Sequence, residues 1–264
     1  MTTEKELVHY RMEDGIAIIE LDDPPANTYS YSMMRQLDDA ILRARMDGDV
    51  HALVLRGAGE KFFSAGANIN MLAQAEPGFK YCFCLHANET LLRLEKTPKL
   101  VVAALNGHTV GGGLEIAMAC DIRLARRDAG KIGLPEIALG VLPGTGGTQR
   151  LARLIGRAKA LELIATGRTF SFEEALEVGL IHHVFDEADF MKAVLEYTRQ
   201  FLPPNKAAMA VGHIKRSIQS GVEMDLYDGL ALEQELQIQL FRSEDAREGL
   251  DAYQAKRVPR FKGR

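Results

Sequence analysis

The chain has 264 residues, enough for one large domain or for one domain with a smaller appendage. Apolar residues make up 47% of it and the formal net charge is −4, so a packed core is expected and nucleic acid is disfavoured as the main partner. No apolar run approaches the roughly 20 residues that span a bilayer.

The opening Met1-Thr-Thr-Glu-Lys-Glu6 is polar and acidic, unlike a basic leader with an apolar stretch behind it, so the cytoplasm is the expected location and no membrane partner is expected. Val8–Met12 and Ile16–Leu21 then read as a hairpin about an Asp14-Gly15 turn. Asp22-Asp-Pro-Pro25 interrupts the pattern. From Met33 to Arg45, Met34, Leu37, Ala40, Ile41 and Ala44 recur at helical spacing. Ala52–Leu55 reads as a short buried strand ending near Gly57, Phe79–Leu94 as a helix and Leu100–Leu105 as a strand. Leu114–Ala119 begins a further helix just after a glycine run, and Asp121–Ala125 returns to strand. Strand, glycine turn, helix and strand recur in that order, which indicates a parallel α/β arrangement. Periodicity alone does not separate a doubly wound sheet from a superhelical ββα spiral. Ser171-Phe-Glu-Glu174 has the form of a capping box, and beyond it the chain reads as helical apart from Ile181–Phe185. Pro203-Pro204 marks a break, dividing a core domain over residues 1–200 from a C-terminal helical segment over 201–264.

Cys82, Cys84 and Cys120 are too few and too poorly spaced for a disulfide framework or a zinc site, and are expected to be reduced thiols, buried or half-buried. His182 and His183 are adjacent in a strand pattern, so their side chains face opposite sides and do not readily share a metal. No Gly-x-Ser-x-Gly elbow accompanies them or His86, and no metal site is expected.

Chemistry concentrates in three stretches: Ala65-Gly66-Ala67, Asn106-Gly-His-Thr-Val-Gly-Gly-Gly-Leu-Glu115, and Leu134-Pro-Glu136 running on to Leu142-Pro-Gly-Thr-Gly-Gly-Thr-Gln-Arg150. Glycines leave backbone N–H groups unshielded and able to grip a developing negative charge, while carboxylates beside them move protons. The combination suggests an enzyme that turns a bound carbonyl into an enolate. Taken singly, each glycine run reads as a tight turn and Glu136 as a surface glutamate; no Gly-Lys-Ser/Thr follows, so a phosphate loop fits poorly.

These stretches, with Phe63-Ser-Ala-Gly-Ala-Asn-Ile-Asn70, Lys99–Gly107 and the tail Arg257-Val-Pro-Arg-Phe-Lys-Gly-Arg264, resemble the crotonase superfamily, most closely its enoyl-CoA hydratases. The likeness runs in the usual order from about residue 8 to the end. It implies an α/β fold with a ββα spiral core and a C-terminal helical segment. It also implies a homotrimer or a dimer of trimers, an acyl-CoA thioester as substrate, and no cofactor beyond the coenzyme A of that substrate. By the same resemblance Ala67 and Gly112 supply the two N–H donors of an oxyanion hole, Glu115 activates water and Glu136 delivers a proton. Ala26, Ala65, Gly66, Asn68, Ile69, Asn70, Phe261 and Lys262 match positions that contact substrate or CoA, with Ala67 and Gly112 among them. The acyl tail is expected near Met71, Leu72 and the helix carrying Tyr81, Phe83 and Leu85. Many hydratases have aspartate after Gly-Ala where this chain has Asn68, which removes a charge and keeps the hydrogen-bonding shape. The expected reaction is syn addition of water to a 2-trans-enoyl-CoA. The rivals are an enoyl-CoA isomerase, a hydrolase or decarboxylase on the same fold, and RNA binding through Arg123, Arg126, Arg127 and Lys131. The pair of glutamates favours hydration, since the isomerases commonly work with one carboxylate.

Overall fold

Asp14 and Gly15 both take left-handed backbone, with φ 48° and 78°, the geometry that turns a strand back on itself in two residues. β1 (Val8–Glu13) and β2 (Ile16–Leu21) therefore pair antiparallel, with Glu13 opposite Ile16. This computed structural model describes residues 5–186 and 188–264.

After α1 (Tyr31–Met46) the chain repeats one unit three times. β3 (Ala52–Gly57) and β4 (Phe62–Ser64) lead into α2 (Ile69–Gln74) and α3 (Pro77–Glu95). β5 (Leu100–Leu105) and β6 (His108–Val110) lead into α4 (Gly112–Met118). β7 (Ile122–Arg126) and β8 (Ile132–Gly133) lead through a 3-10 turn, Glu136–Leu139, into α5 (Gly147–Ile155) and α6 (Arg157–Thr166). The first strand of each unit joins a six-stranded sheet ordered β1-β2-β3-β5-β7-β9, parallel except for the hairpin; the second joins a three-stranded parallel sheet ordered β4-β6-β8. This is the ββα spiral, and it decides between the two arrangements that periodicity left open. α7 (Phe172–Glu177) precedes β9 (His183–Phe185), and α8 (Phe190–Arg199), α9 (Ala208–Gly221), α10 (Leu226–Phe241) and α11 (Glu244–Gln254) complete the chain.

Alternation along the large sheet gives it two buried faces. Ala17, Ile19, Leu53, Leu55, Val101 and Ala103 enter the main core with α1 and α3, whereas Ile16, Ile18, Val54, Val102 and Leu124 meet Phe190, Val194 and Leu195 of α8. Buried amides tie successive turns of the spiral together. Asn106 Nδ2 donates to the carbonyls of Gly57 and Gly59, and Asn27 Nδ2 to those of Ala58 and Phe62.

The three strands of the small sheet are two or three residues long, too short to leave a period in the sequence. α4 starts at Gly112 rather than Leu114, and β9 at His183 rather than Ile181. Ser171 caps α7 by accepting from Glu174 N–H, but the Glu174 carboxylate pairs with Arg168. Cys120 is buried and Cys84 half-buried as expected; Cys82 is exposed, because it lies on the outer side of α3.

Between the large sheet and α9 lies a buried ion pair. Lys215 Nζ of α9 sits 2.8 Å from Asp121, whose carboxylate also accepts the Val101 N–H. Removing one partner leaves the other charge buried and uncompensated, so Lys215→Met should lower unfolding stability by about 3–5 kcal/mol, read from urea midpoints at constant m.

Candidate active site

The Ala65–Asn70 turn is held by the segment Ala26–Tyr29, which leaves a turn at Asn27 and forms a bridge at Tyr29. Ala65 N–H donates to Ala26 carbonyl, Tyr29 N–H to Gly66 carbonyl, and Asn68 N–H to Tyr29 carbonyl. Because Tyr29 bonds to the residues on either side of Ala67, the N–H of Ala67 points away from that segment, as in any parallel bridge. It donates to no acceptor among the described residues, and nor does the N–H of Gly112 at the start of α4. Gly66 has φ 87°, and a side chain on it would begin 2.8 Å from Gly112 nitrogen. The two glycine turns are thus packed against each other, with two unshielded N–H donors on adjoining edges. Asn68 Oδ1 accepts the Met71 N–H and caps α2, a role aspartate would fill equally well; that is the physical use of the amide here. Ile69 and Asn70 are exposed on the first turn of α2.

Glu115 lies one turn into α4 and is 2% exposed. Its Oε1 accepts the N–H groups of Thr145 and Gly147, each at 2.7 Å. Gly147 opens α5, so the positive end of that helix faces the carboxylate. Burial nevertheless dominates and pushes the Glu115 pKa up to about 7; the Gly147 N–H opposes it, and the nearby Glu136 adds to it. Glu136 opens the 3-10 turn, with Oε1 3.0 Å from the point where a side chain on Gly111 would start. Its Oε2 is buried and has no hydrogen-bond partner among the described residues, and burial raises its pKa as well. The fold therefore brings Ala26, the 65–70 turn, Gly112, Glu115 and Glu136 into one place. In the sequence, 21 residues separate the two glutamates; what closes that gap is β6 and β8 lying side by side, with Gly111 N–H donating to Gly133 carbonyl.

Phe261 and Lys262 are not brought there. Phe261 N–H donates to Pro204 carbonyl and its ring packs by Gly249 of α11, while Lys262 Nζ pairs with Glu244. The next residue, Gly263, lies against His51, which precedes β3; the tail thus sits by the start of β3, whereas the glycine turns follow β4 and β6 of the small sheet. Among the expected acyl neighbours, Met71 and Leu72 pack on the core and Phe83 is buried with its ring 5.8 Å from that of Tyr29. Tyr81 and Leu85, one helical turn apart, face outward.

Of the basic cluster, Arg123 is buried, donating to the carbonyls of Leu180, Ala117 and Cys120; Arg126 and Arg127 pair with Glu60 and with Asp186, and Lys131 is exposed. His182 Nδ1 accepts the Arg123 N–H, and burial lowers its pKa to about 4. Thr145, Gly147 and Tyr29 are the residues sequence reading left without a role. The glycine-rich block containing the first two was the available signal; Tyr29 gave none.

The sequence model of enoyl-CoA hydratase/isomerase matches residues 11–264. The chain belongs to that family. A crystal structure of an enoyl-CoA hydratase from Geobacillus kaustophilus superposes on this family member with TM-score 0.96 and 48% identity, covering 99% of the chain and 98% of its own. The short-chain-enoyl-CoA hydratase of Clostridium acetobutylicum is 37% identical over 96% of each chain. The mitochondrial methylglutaconyl-CoA hydratase of Rattus norvegicus is also 37% identical, over 99% of the chain and 84% of its own. Two relatives equally similar overall thus differ in the acyl group their names carry, so global identity does not choose the acyl group here. Among the described residues no helix of this family member is long and apolar enough to cross a membrane.

Proposed function

We propose that the chain is an enoyl-CoA hydratase, adding water syn across a 2-trans-enoyl-CoA to give a 3-hydroxyacyl-CoA. The observation that carries this reading is the pair of carboxyls flanking one glycine turn, Glu115 buried on two N–H donors and Glu136 with a buried oxygen uncommitted. Water attack at Cβ breaks the C=C π bond and sends its electrons through Cα to the thioester oxygen. The N–H groups of Ala67 and Gly112 would hold that oxyanion. Glu115 takes the proton lost by the attacking water, Glu136 gives one to Cα, and the pair resets when the product leaves and the next water to enter relays the proton from Glu115 to Glu136. A single carboxylate suffices for a proton shuttle from Cα to Cγ, so two favour hydration over isomerisation. No cofactor beyond the substrate's own coenzyme A enters this reading.

The 1–200 core and 201–264 helical segment are retained as its frame, with the segment as an assembly surface. Ile214, Ile218 and Val222 of α9 and its C-cap, and Tyr227 and Phe241 of α10, are apolar and exposed in the single chain, which supports a homotrimer or a dimer of trimers. Phe261 and Lys262 then reach a cleft only from a neighbouring copy. Sedimentation at micromolar concentration should give a trimer or hexamer mass; a monomer mass would remove both the assembly and the tail's role.

The function is tested by loss of enoyl-thioester ultraviolet absorbance with crotonyl-CoA and a panel of longer and branched 2-enoyl-CoAs, beside the matching 3-enoyl-CoAs. Hydration of a 2-enoyl substrate supports the reading. Turnover of 3-enoyl substrates alone assigns the site to isomerisation.

A further inference from the structure

Tyr29 meets both glycine turns and the loop that holds Glu115. Its backbone N–H and carbonyl bracket Ala67 through Gly66 and Asn68, at 2.9 Å each. Its ring fills the space beside Gly112, where any side chain on that glycine would overlap the phenol. Its hydroxyl meets Thr145 Oγ1 at 3.2 Å, and the N–H of the same Thr145 donates to Glu115. Tyr29 is 2% exposed, and its ring packs on Phe83 of α3.

Each of these contacts has a bland explanation alone; a buried tyrosine ordinarily finds a partner for its hydroxyl. Together they connect three chain segments that share no secondary-structure element: the 65–70 turn, the start of α4 and the loop into α5. A phenylalanine would fill the same volume and brace the same turns. The hydroxyl adds only the link to Thr145, and that link leads to Glu115.

We propose that Tyr29 is a positioning residue that sets both oxyanion donors and the Glu115 carboxylate in register, its hydroxyl acting on Glu115 through Thr145. This rests on the hydratase reading for its rate consequences but not for its effect on Glu115. With the hydroxyl gone, the Thr145 loop loses an anchor and its N–H sits less well on Oε1. Glu115 then loses part of a bond that favours its ionised form. The other groups facing Glu115 are Glu136 on the 3-10 turn, Arg150 on α5 and Cys84 on α3, and none of them changes in this variant.

The test is the set Tyr29→Phe, Thr145→Val, the double variant and Thr145→Ser. Carbon-13 NMR of labelled glutamate carboxyls, assigned through Glu115→Gln, reads the Glu115 titration, and enoyl-CoA hydration reads the rate. Tyr29→Phe and Thr145→Val should each move the Glu115 midpoint upward and lower kcat about tenfold with KM little changed. The double variant should be no worse than either single one, and Thr145→Ser, which keeps the hydroxyl, should restore both readouts. An unmoved midpoint in Tyr29→Phe, or additive losses in the double variant, would overturn the proposal. If the wild-type enzyme hydrates no enoyl-CoA, the hydratase reading falls and the Glu115 titration still decides the role of Tyr29.

Discussion

Glu136→Gln should lower kcat for hydration by about 10²–10⁴-fold, the usual worth of a positioned proton donor, with the fold retained. Glutamine matches the size of the side chain, and no hydrogen bond is lost at Oε2, which has no partner among the described residues. Glu115→Gln should cost as much in rate but behave differently in stability. The wild-type carboxyl has its pKa raised to about 7, above the ordinary 4.5, so the fold favours its protonated form. That contribution is fully present below about pH 4.5 and disappears as pH rises through 7. The amide has no charge to desolvate and its oxygen can still accept from Thr145 and Gly147. Thermal melts should therefore show Glu115→Gln gaining on the wild type as pH rises from 5 to 8. The rate constant kcat/KM of the wild type should climb with pH up to about 7, as the water-activating group ionises; because the two carboxyls are coupled, the limb belongs to the pair. A wild-type profile flat from pH 5 to 8, or melts of Glu115→Gln parallel to the wild type across that range, would remove the buried-base assignment.

Gly112→Ala should damage both rate and stability. Its Cβ would overlap the Tyr29 ring, which is buried and packed on Phe83 and so has little room to withdraw. The turn must shift instead, and with it the N–H assigned to the oxyanion. Loss of one such donor costs about 10²–10³-fold in kcat, and the overpacking a further 1–3 kcal/mol of stability. Because the oxyanion forms only on the way to the enolate, saturated butyryl-CoA should bind the variant nearly as well as the wild type by calorimetry. Equal losses of butyryl-CoA affinity and of rate would show that the glycine shapes the pocket and not the oxyanion.

Much of this protein is local and was therefore legible in its residues. The hairpin follows from Asp14-Gly15, whose left-handed backbone permits few other turns. α1 follows from six apolar positions at helical spacing, all buried in the fold. The core strands follow from continuous apolar runs of a length that only a sheet buried on both faces accommodates. The motif stretches, in order, pointed to the family that the whole-chain match shows. Residue type alone marked Glu115 and Glu136 as carboxyls beside glycines.

What the sequence left open was everything set by contacts between distant segments. The choice of spiral over doubly wound sheet depends on β4, β6 and β8, which are too short to carry a period and exist only because each pairs with its neighbour. The meeting of the two glutamates depends on that small sheet. The elevated pKa of Glu115 depends on burial and on Glu136, and it is held in check by an N–H from a helix that starts 32 residues later. Tyr29 carries no motif, and its link to Thr145 spans 116 residues. The tail lies by the start of β3, away from the glycine turns, because Asp245 accepts the N–H groups of Lys262 and Gly263, a pairing no periodicity announces. Hydrophobic period and turn chemistry act within a few residues of the chain, and so the sequence states them; electrostatic environment and the convergence of side chains are properties of packing, and only the tertiary structure decides them.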